Sequence, residues 1–259
     1  MFQSSHAQTH RGTVRKINED AFLELPTLGI WVVADGMGGH EAGDVASQLV
    51  IDSIQQSVEK VPANQINCQL LIQALTEGNN KLQQLSKTEF SGKIAGSTVV
   101  VLWIQGDTYH YLWVGDSRGY LLRNNQLHQI TKDHSQVNDM VDQGLLKAED
   151  AESHPLSNVI TRAVGVDTQL EVDIKSAELI TGDVFLLCSD GLNKEVSDSE
   201  IETTLQSGNI IDAGMALMHA SLVRNARDNV TCILVKHGQS RSSQAQNDSN
   251  TTIPLFINK

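Results

Sequence analysis

The feature that most constrains the fold is a block of short β-rich segments in the middle of the chain. Four runs, STVVVLWI, YHYLWVG, GYLLR and QLHQI, follow one another between residues 97 and 130. Asn124 and Asn125 separate the last two runs, and asparagine tolerates the positive φ of a tight turn. These runs predict a series of strands, the last two of which form a hairpin.

Helical patterns lie on both sides of this block. Apolar residues recur at helical spacing over residues 44–60, 70–85 and 210–225, and the capping-box pattern SDSE opens a further helix at Ser197. The apolar runs GIWVVAD, ELITGDVFLLCSDG and NVTCILV predict additional strands. Runs of strands beside runs of helices favour a layered α+β domain over alternating βαβ units.

One domain accounts for nearly all of the chain. It has 259 residues, of which 40% are hydrophobic, and this is enough for a sizeable core. After His237 the sequence becomes GQSRSSQAQNDSN, which is polar and of low complexity. We therefore predict a single domain over residues 1–237 and a disordered tail over 238–259.

Charge and composition exclude several classes of function. The net charge of −12 argues against a nucleic-acid-binding surface, which requires a basic face. No apolar run approaches the ~20 residues of a membrane span. The widely spaced Cys68, Cys188 and Cys232 form no disulfide framework or zinc motif, and we interpret them as buried thiols. These features predict a cytoplasmic protein.

Several predicted strands begin or end at a carboxylate. A single strand that ends in an Asp-Gly turn would need no explanation, but the pattern recurs at Glu19, Asp20, Asp35, Asp116, Asp190 and Asp228. Clustered carboxylates repel each other unless cations neutralise them, and Mg²⁺ and Mn²⁺ prefer oxygen ligands. Glycine, as in Asp35-Gly36, lets the backbone approach an ion closely. The recurrence favours a divalent metal site at one edge of a sheet.

A nucleotide-binding loop is the competing interpretation of the glycines after Asp35. Gly36, Gly38 and Gly39 do not fit the pattern G-x-G-x-x-G, because Glu41 occupies its sixth position. No Gly-Lys-Ser/Thr follows, so the loop is not a P-loop. Asp35 would also repel a phosphate unless a cation lay between them.

Eight segments together resemble the metal-dependent protein phosphatase (PPM) family, the protein phosphatase 2C class, in its bacterial form. In family order they are RKINEDA, VVADGMGGHEAGDVAS, AGSTVVV, VGDSRGYLLR, ITKDHS, ITRAVG, CSDGL and DNVTCILV, and the resemblance as a whole spans about residues 6–237. The resemblance implies a four-layer α-β-β-α sandwich of two mostly antiparallel sheets, with helix pairs outside and a dinuclear metal site at one end. It also implies hydrolysis of phosphoserine and phosphothreonine with two Mn²⁺ or Mg²⁺ ions.

The same resemblance assigns roles to individual residues. It implies that Asp35 bridges both ions, that Gly36 offers its carbonyl oxygen, and that Asp190 and Asp228 hold one ion. Glu19 and Asp20 match the pair that holds metal-bound waters, with Asp20 the better match. A water activated between the ions attacks phosphorus without a phospho-enzyme.

Three further positions carry expectations from the resemblance. Arg15 matches the phosphate-binding arginine. Asp116 matches an aspartate that holds a third ion in bacterial members, although it could instead cap the turn that follows it. Animal-type members have a histidine as general acid where this chain has Met37, so His40 is the candidate replacement; ordering of the loop is the alternative role for His40.

We expect phosphoprotein substrates, a cognate Ser/Thr kinase as the opposing enzyme, and a monomer. The NEDA segment in a short acidic chain also resembles phosphatases encoded with bacterial type VI secretion systems. The alternative function is a catalytically silent phospho-binding module on the same fold. Silent relatives usually lose metal ligands, so the intact set of carboxylates favours the enzyme.

Overall fold

Two antiparallel β-sheets lie face to face in the computed structural model, which describes residues 2–38, 42–90, 94–151 and 153–238. In spatial order the first sheet contains β1 (Phe2–His10), β11 (Val230–Gly238), β10 (Val184–Cys188), β7 (Arg118–Arg123) and β8 (Gln126–Gln129). The second contains β2 (Asp20–Leu25), β3 (Ile30–Met37), β5 (Val99–Gln105), β6 (Thr108–Val114) and β9 (Asp173–Glu178), and β4 (Gly96–Ser97) pairs with the end of β3.

Helices cover the outer face of each sheet. The second sheet packs against α1 (Ala42–Glu59) and α2 (Cys68–Thr88). The first sheet packs against α4 (Asp190–Asn193), α5 (Asp198–Leu205) and α6 (Ile210–Val223). A short helix, α3 (Gln136–Asp142), follows β8. The predicted four-layer α-β-β-α sandwich is therefore confirmed.

Alternation along β3 shows how one strand contributes to two hydrophobic layers. Trp31 and Val33 pack between the two sheets, whereas Val32 and Ala34 pack against α1 and α2. All four are fully buried. A strand that is buried on both faces has a continuous apolar sequence, which explains the run IWVVA.

Most of the predicted elements are present. Asn124 and Asn125 have φ values of 53° and 60° and form the hairpin turn between β7 and β8. Ser197 and Glu200 form the predicted capping box at the start of α5. One position differs: Asp190 does not end a strand but begins α4, because β10 stops at Cys188 and Ser189 occupies the N-cap.

The two ends of the domain meet in the first sheet. β1 pairs with β11 over its whole length, so that Phe2 lies opposite Gly238. Gly238 thus belongs to β11, and residues 239–259, the rest of the predicted tail, lie outside the described residues. None of the helices in the described ranges has the length and apolar character needed to cross a membrane.

Candidate functional site

Asp35 lies near the end of β3, and neighbouring strands hold its main chain in place. Its N–H donates to Thr98 Oγ1 at 3.1 Å, and its carbonyl oxygen accepts from Thr98 N–H at 2.8 Å. In the next residue of the same strand, Gly36 N–H donates to the carbonyl oxygen of Glu19 at 3.0 Å. A Cβ atom at Gly36 would overlap the carbonyl oxygen of Gly43, so only glycine fits this close approach.

Five of the predicted carboxylates meet at one cavity of about 490 Å³ at this end of the sandwich. Beyond Asp35 and Gly36, the residues that line it include Arg15, Glu19, Met37, Thr98, Asp116, Asn158, Asp190, Lys194 and Asp228. The strand ends thus bring together residues that are far apart in the sequence. His40, the candidate general acid, lies outside the described residues.

The sixth carboxylate, Asp20, lies beneath the cavity wall and is almost completely buried. One of its oxygens, Oδ2, accepts hydrogen bonds from Ser189 Oγ at 2.8 Å and Thr231 Oγ1 at 2.7 Å. The other oxygen, Oδ1, is buried without a hydrogen-bond partner in the protein. An unsatisfied buried carboxylate oxygen is costly, and this atom is therefore available to bind a cation.

Burial and mutual repulsion raise the pKa values of these acids. Burial is the main reason that the pKa of Asp20 rises to about 7, against the lowering effect of the Thr231 and Ser189 hydroxyls. Burial, together with the charge of Asp190, raises the pKa of Asp116 to about 7. The pKa of Asp35 is raised well above its usual value by burial and then by the charges of Asp20 and Asp190. The carboxylates of the site therefore carry more negative charge than the protein neutralises.

Two cationic side chains offset part of the negative charge of these carboxylates. Arg15 Nη2 donates to Asp228 Oδ2 at 2.9 Å, and its other terminal nitrogen lies 3.7 Å from Glu19 Oε2. Lys194 Nζ contacts Asp190 Oδ2, while Asp190 Oδ1 is buried without a partner. Among the described residues, no three His, Cys, Asp or Glu side chains are grouped closely enough to hold one ion.

The donor set nevertheless fits hard divalent cations. It consists of carboxylates and the main chain near Gly36, and two carboxylate oxygens, on Asp20 and Asp190, lack partners. Divalent ions prefer such oxygen ligands and would relieve the repulsion that raises the pKa values. Asp20, Asp35, Gly36, Asp190 and Asp228 are the groups that can hold them.

Asp116 is held by its neighbours on a turn between β6 and β7. Gly115 N–H donates to His134 Nδ1 at 3.0 Å, and Ser117 Oγ lies 2.7 Å from Thr98 Oγ1. The N–H of Gly119 donates to Thr131 Oγ1 at 3.0 Å, so Asp116 does not cap that amide.

Several supporting residues were not anticipated from the sequence. Asn229 accepts from Glu19 N–H at 2.8 Å and donates to the carbonyl oxygens of Arg11 and Ile17, and these bonds fix the segment that carries Arg15. Thr231 is a polar residue within the apolar run VTCILV of β11, and a polar side chain in such a run indicates a specific role. Nothing in the local sequence shows that its partner is Asp20.

Comparison with known proteins decides the family. The family model for protein phosphatase 2C matches residues 7–233. The chain belongs to the protein phosphatase 2C family. As such, it is a metal-dependent serine/threonine protein phosphatase, as its motifs predict.

Relatives and solved structures agree with this family. The serine/threonine phosphatase stp of Listeria monocytogenes serotype 4b is 36% identical over 242 residues, which cover 89% of this chain and 95% of that protein. The structure of PppA, described as a key regulatory component of T6SS in Pseudomonas aeruginosa, has a TM-score of 0.82 and 40% identity, and the match covers 91% of this chain and 98% of that one.

A third comparison concerns the metal. The catalytic domain of the serine/threonine protein phosphatase PstP, solved in complex with two manganese ions, has a TM-score of 0.81 and 34% identity. The match covers 92% of this chain and 99% of that one.

Proposed function

We propose that the cavity beside Asp35 hydrolyses phosphoserine and phosphothreonine in proteins, with two Mn²⁺ or Mg²⁺ ions held by Asp20, Asp35, Gly36, Asp190 and Asp228. The observation that carries this proposal is the cluster of carboxylates, whose repulsion is only partly relieved and two of whose buried oxygens have no partner. When bound, such ions lower the pKa of water enough to supply hydroxide near neutral pH. The two-manganese structure of PstP supports this number of ions.

Arg15 is suited to bind the phosphate group. Its side chain is about 47% exposed at the cavity, and Asp228 anchors one of its terminal nitrogens. A guanidinium has five N–H donors, so the remaining donors can hold two phosphate oxygens in a planar fork. The hydrogen bond to Asp228 thereby holds the guanidinium of Arg15 in place for binding the substrate phosphate.

Asp20 positions the site from below. The Ser189 and Thr231 hydroxyls hold Oδ2, which fixes the orientation of Oδ1. Partners of this kind orient a ligating carboxylate, and their loss weakens metal affinity. For the proton that the leaving serine requires, we propose His40 as the donor.

The proposed partners are phosphoproteins and an opposing Ser/Thr kinase. We also propose that the enzyme acts as a monomer with one catalytic domain over residues 1–237, and that it works in the setting of type VI secretion. The similarity to PppA supports this setting. Phosphoproteomics of a deletion strain would test the proposed substrates, because these proteins should accumulate phosphate on serine and threonine.

Turnover with and without metal tests the chemistry. Purified enzyme should hydrolyse para-nitrophenyl phosphate and a phosphothreonine peptide with Mn²⁺ and lose both activities in EDTA. Binding of Mn²⁺ without turnover of either substrate would favour the silent phospho-binding module. Absence of Mn²⁺ binding would contradict the proposed metal site.

A further inference from the structure

Lys194 lies on the wall between the catalytic cavity and a second cavity of about 300 Å³. Asp116, Asn158 and Asp190 line both cavities with it. One ammonium group therefore shares this wall with two carboxylates. No motif of the sequence singled out this lysine.

The backbone and the side chain of Lys194 are both tied to Asp190. Asp190 begins α4, and Lys194 follows the last residue of that helix. The N–H of Lys194 donates to the carbonyl oxygen of Asp190 at 3.0 Å, and Nζ contacts Oδ2 of the same residue. The ammonium is therefore held in place beside the cavity.

We propose that the ammonium of Lys194 takes the place of a third metal ion beside Asp116 and Asp190, so that this phosphatase binds two ions and not three. The inference rests on the proposed dinuclear site. Bacterial relatives, as the sequence resemblance implies, hold a third ion through the aspartate that Asp116 matches. Here the ammonium of Lys194, which contacts Asp190 Oδ2, lines the same two cavities as that aspartate, and its positive charge would repel a further cation.

The charges of the side chains at the site agree with two bound ions. Six carboxylates belong to it, and Arg15 and Lys194 are its two cationic side chains. With two divalent ions the charges of these side chains and ions cancel, and a third ion would leave an excess of two positive charges. The pairing of Lys194 with Oδ2 also leaves Oδ1 of Asp190 free to bind one of the two ions.

Counting bound Mn²⁺ tests the proposal independently of activity. Equilibrium dialysis, followed by elemental analysis, should find two Mn²⁺ per chain in the wild type. Lys194→Gln should bind a third ion, because it removes the competing charge. The double variant Lys194→Gln/Asp116→Asn should return to two ions, since the third loses its carboxylate.

Two matched controls accompany these variants. Lys194→Arg keeps the positive charge and should bind two ions. Lys81→Gln removes an equivalent charge from the exposed face of α2 and should also bind two. Circular dichroism establishes that each variant is folded, and crystals soaked in Mn²⁺ should show an additional anomalous peak beside Asp116 only in Lys194→Gln.

Three ions in the wild type, or two in folded Lys194→Gln, would overturn the role of Lys194 and leave the proposed dinuclear enzyme intact. Fewer than two ions in the wild type would contradict the dinuclear site and this inference together.

Discussion

Asp20 on β2 and Asp35 on β3 lie directly opposite each other in the antiparallel register of the second sheet. Burial, followed by the charge of Asp20, raises the pKa of Asp35, and Asp190 adds to the effect. The fold thus places two acids together where neither is easily ionised without a cation. Metal binding and folding should therefore be coupled at this pair.

Asp35→Asn and Asp228→Asn should each abolish turnover and leave the protein folded. An amide carries no charge to offset a divalent ion, so Mn²⁺ affinity should fall by at least about 100-fold, the upper end of the loss seen for residues outside the ligand shell. Isothermal titration with Mn²⁺ and circular dichroism measure the two effects. A near wild-type rate in either variant would contradict the two-metal site.

The metal-free enzyme should lose stability as the pH rises from about 4 to about 7. The folded-state pKa values of Asp20 and Asp116 are about 7, above their usual value of 3.8, so the folded state holds protons that the unfolded state has released. The stability from these groups is therefore full below pH 4 and is lost through pH 7. Urea unfolding in EDTA across this range measures the slope, and Asp20→Asn should reduce it. A free energy of unfolding that rises or stays constant over this pH range would contradict the pKa shifts.

Thr231→Val should weaken Mn²⁺ binding by about 10-fold, because it removes one of the two hydroxyls that orient Asp20. Valine has nearly the same shape as threonine, so the strand should keep its packing. Thr203→Val is the matched control, since Thr203 is exposed on α5 and its hydroxyl bonds only within that helix. Equal Mn²⁺ affinity in the two variants would show that Asp20 needs no support from Thr231.

Local patterns in the sequence predicted most of the strands and helices and the carboxylates that line the cavity, whereas the four-layer arrangement was implied by the family resemblance. Apolar runs such as IWVVA identify strands buried on both faces, and a carboxylate at the end of such a run is visible without a structure. β1 and β9 were not predicted, since edge strands pair on one side only and tolerate polar sequences such as QSSHAQTH. A strand that ends at Cys188 and a helix that starts at Asp190 also look like one strand in the sequence.

Contacts between segments that are far apart in the chain could not be predicted from the sequence. Thr231 and Asp20 are 211 positions apart, and only the order of strands in the two sheets brings their side chains together. The ion pair between Lys194 and Asp190 is local, yet it depends on α4, a four-residue helix with no strong sequence signal.

A chain that ends at Gly238 should keep the activity and the melting temperature of the full-length protein. Residues 239–259 are mostly polar, and β11, which ends at Gly238, is already paired on both sides, with β1 and with β10. Thermal unfolding and phosphopeptide turnover of both lengths measure the effect. A fall of several degrees in melting temperature would show that the apolar segment IPLFI packs against the domain.

His40→Ala should separate two substrates if His40 protonates the leaving group. A serine alkoxide is a strong base and needs a proton, whereas para-nitrophenolate is a weak base and does not. General acid catalysis contributes ~10²–10⁴-fold, so the phosphopeptide rate should fall by about that factor while para-nitrophenyl phosphate stays close to wild type. Both rates are measured at saturating Mn²⁺, which removes any effect on metal affinity. Equal losses on the two substrates would instead assign His40 to ordering the loop after Asp35 and would leave proton donation to another group at the cavity.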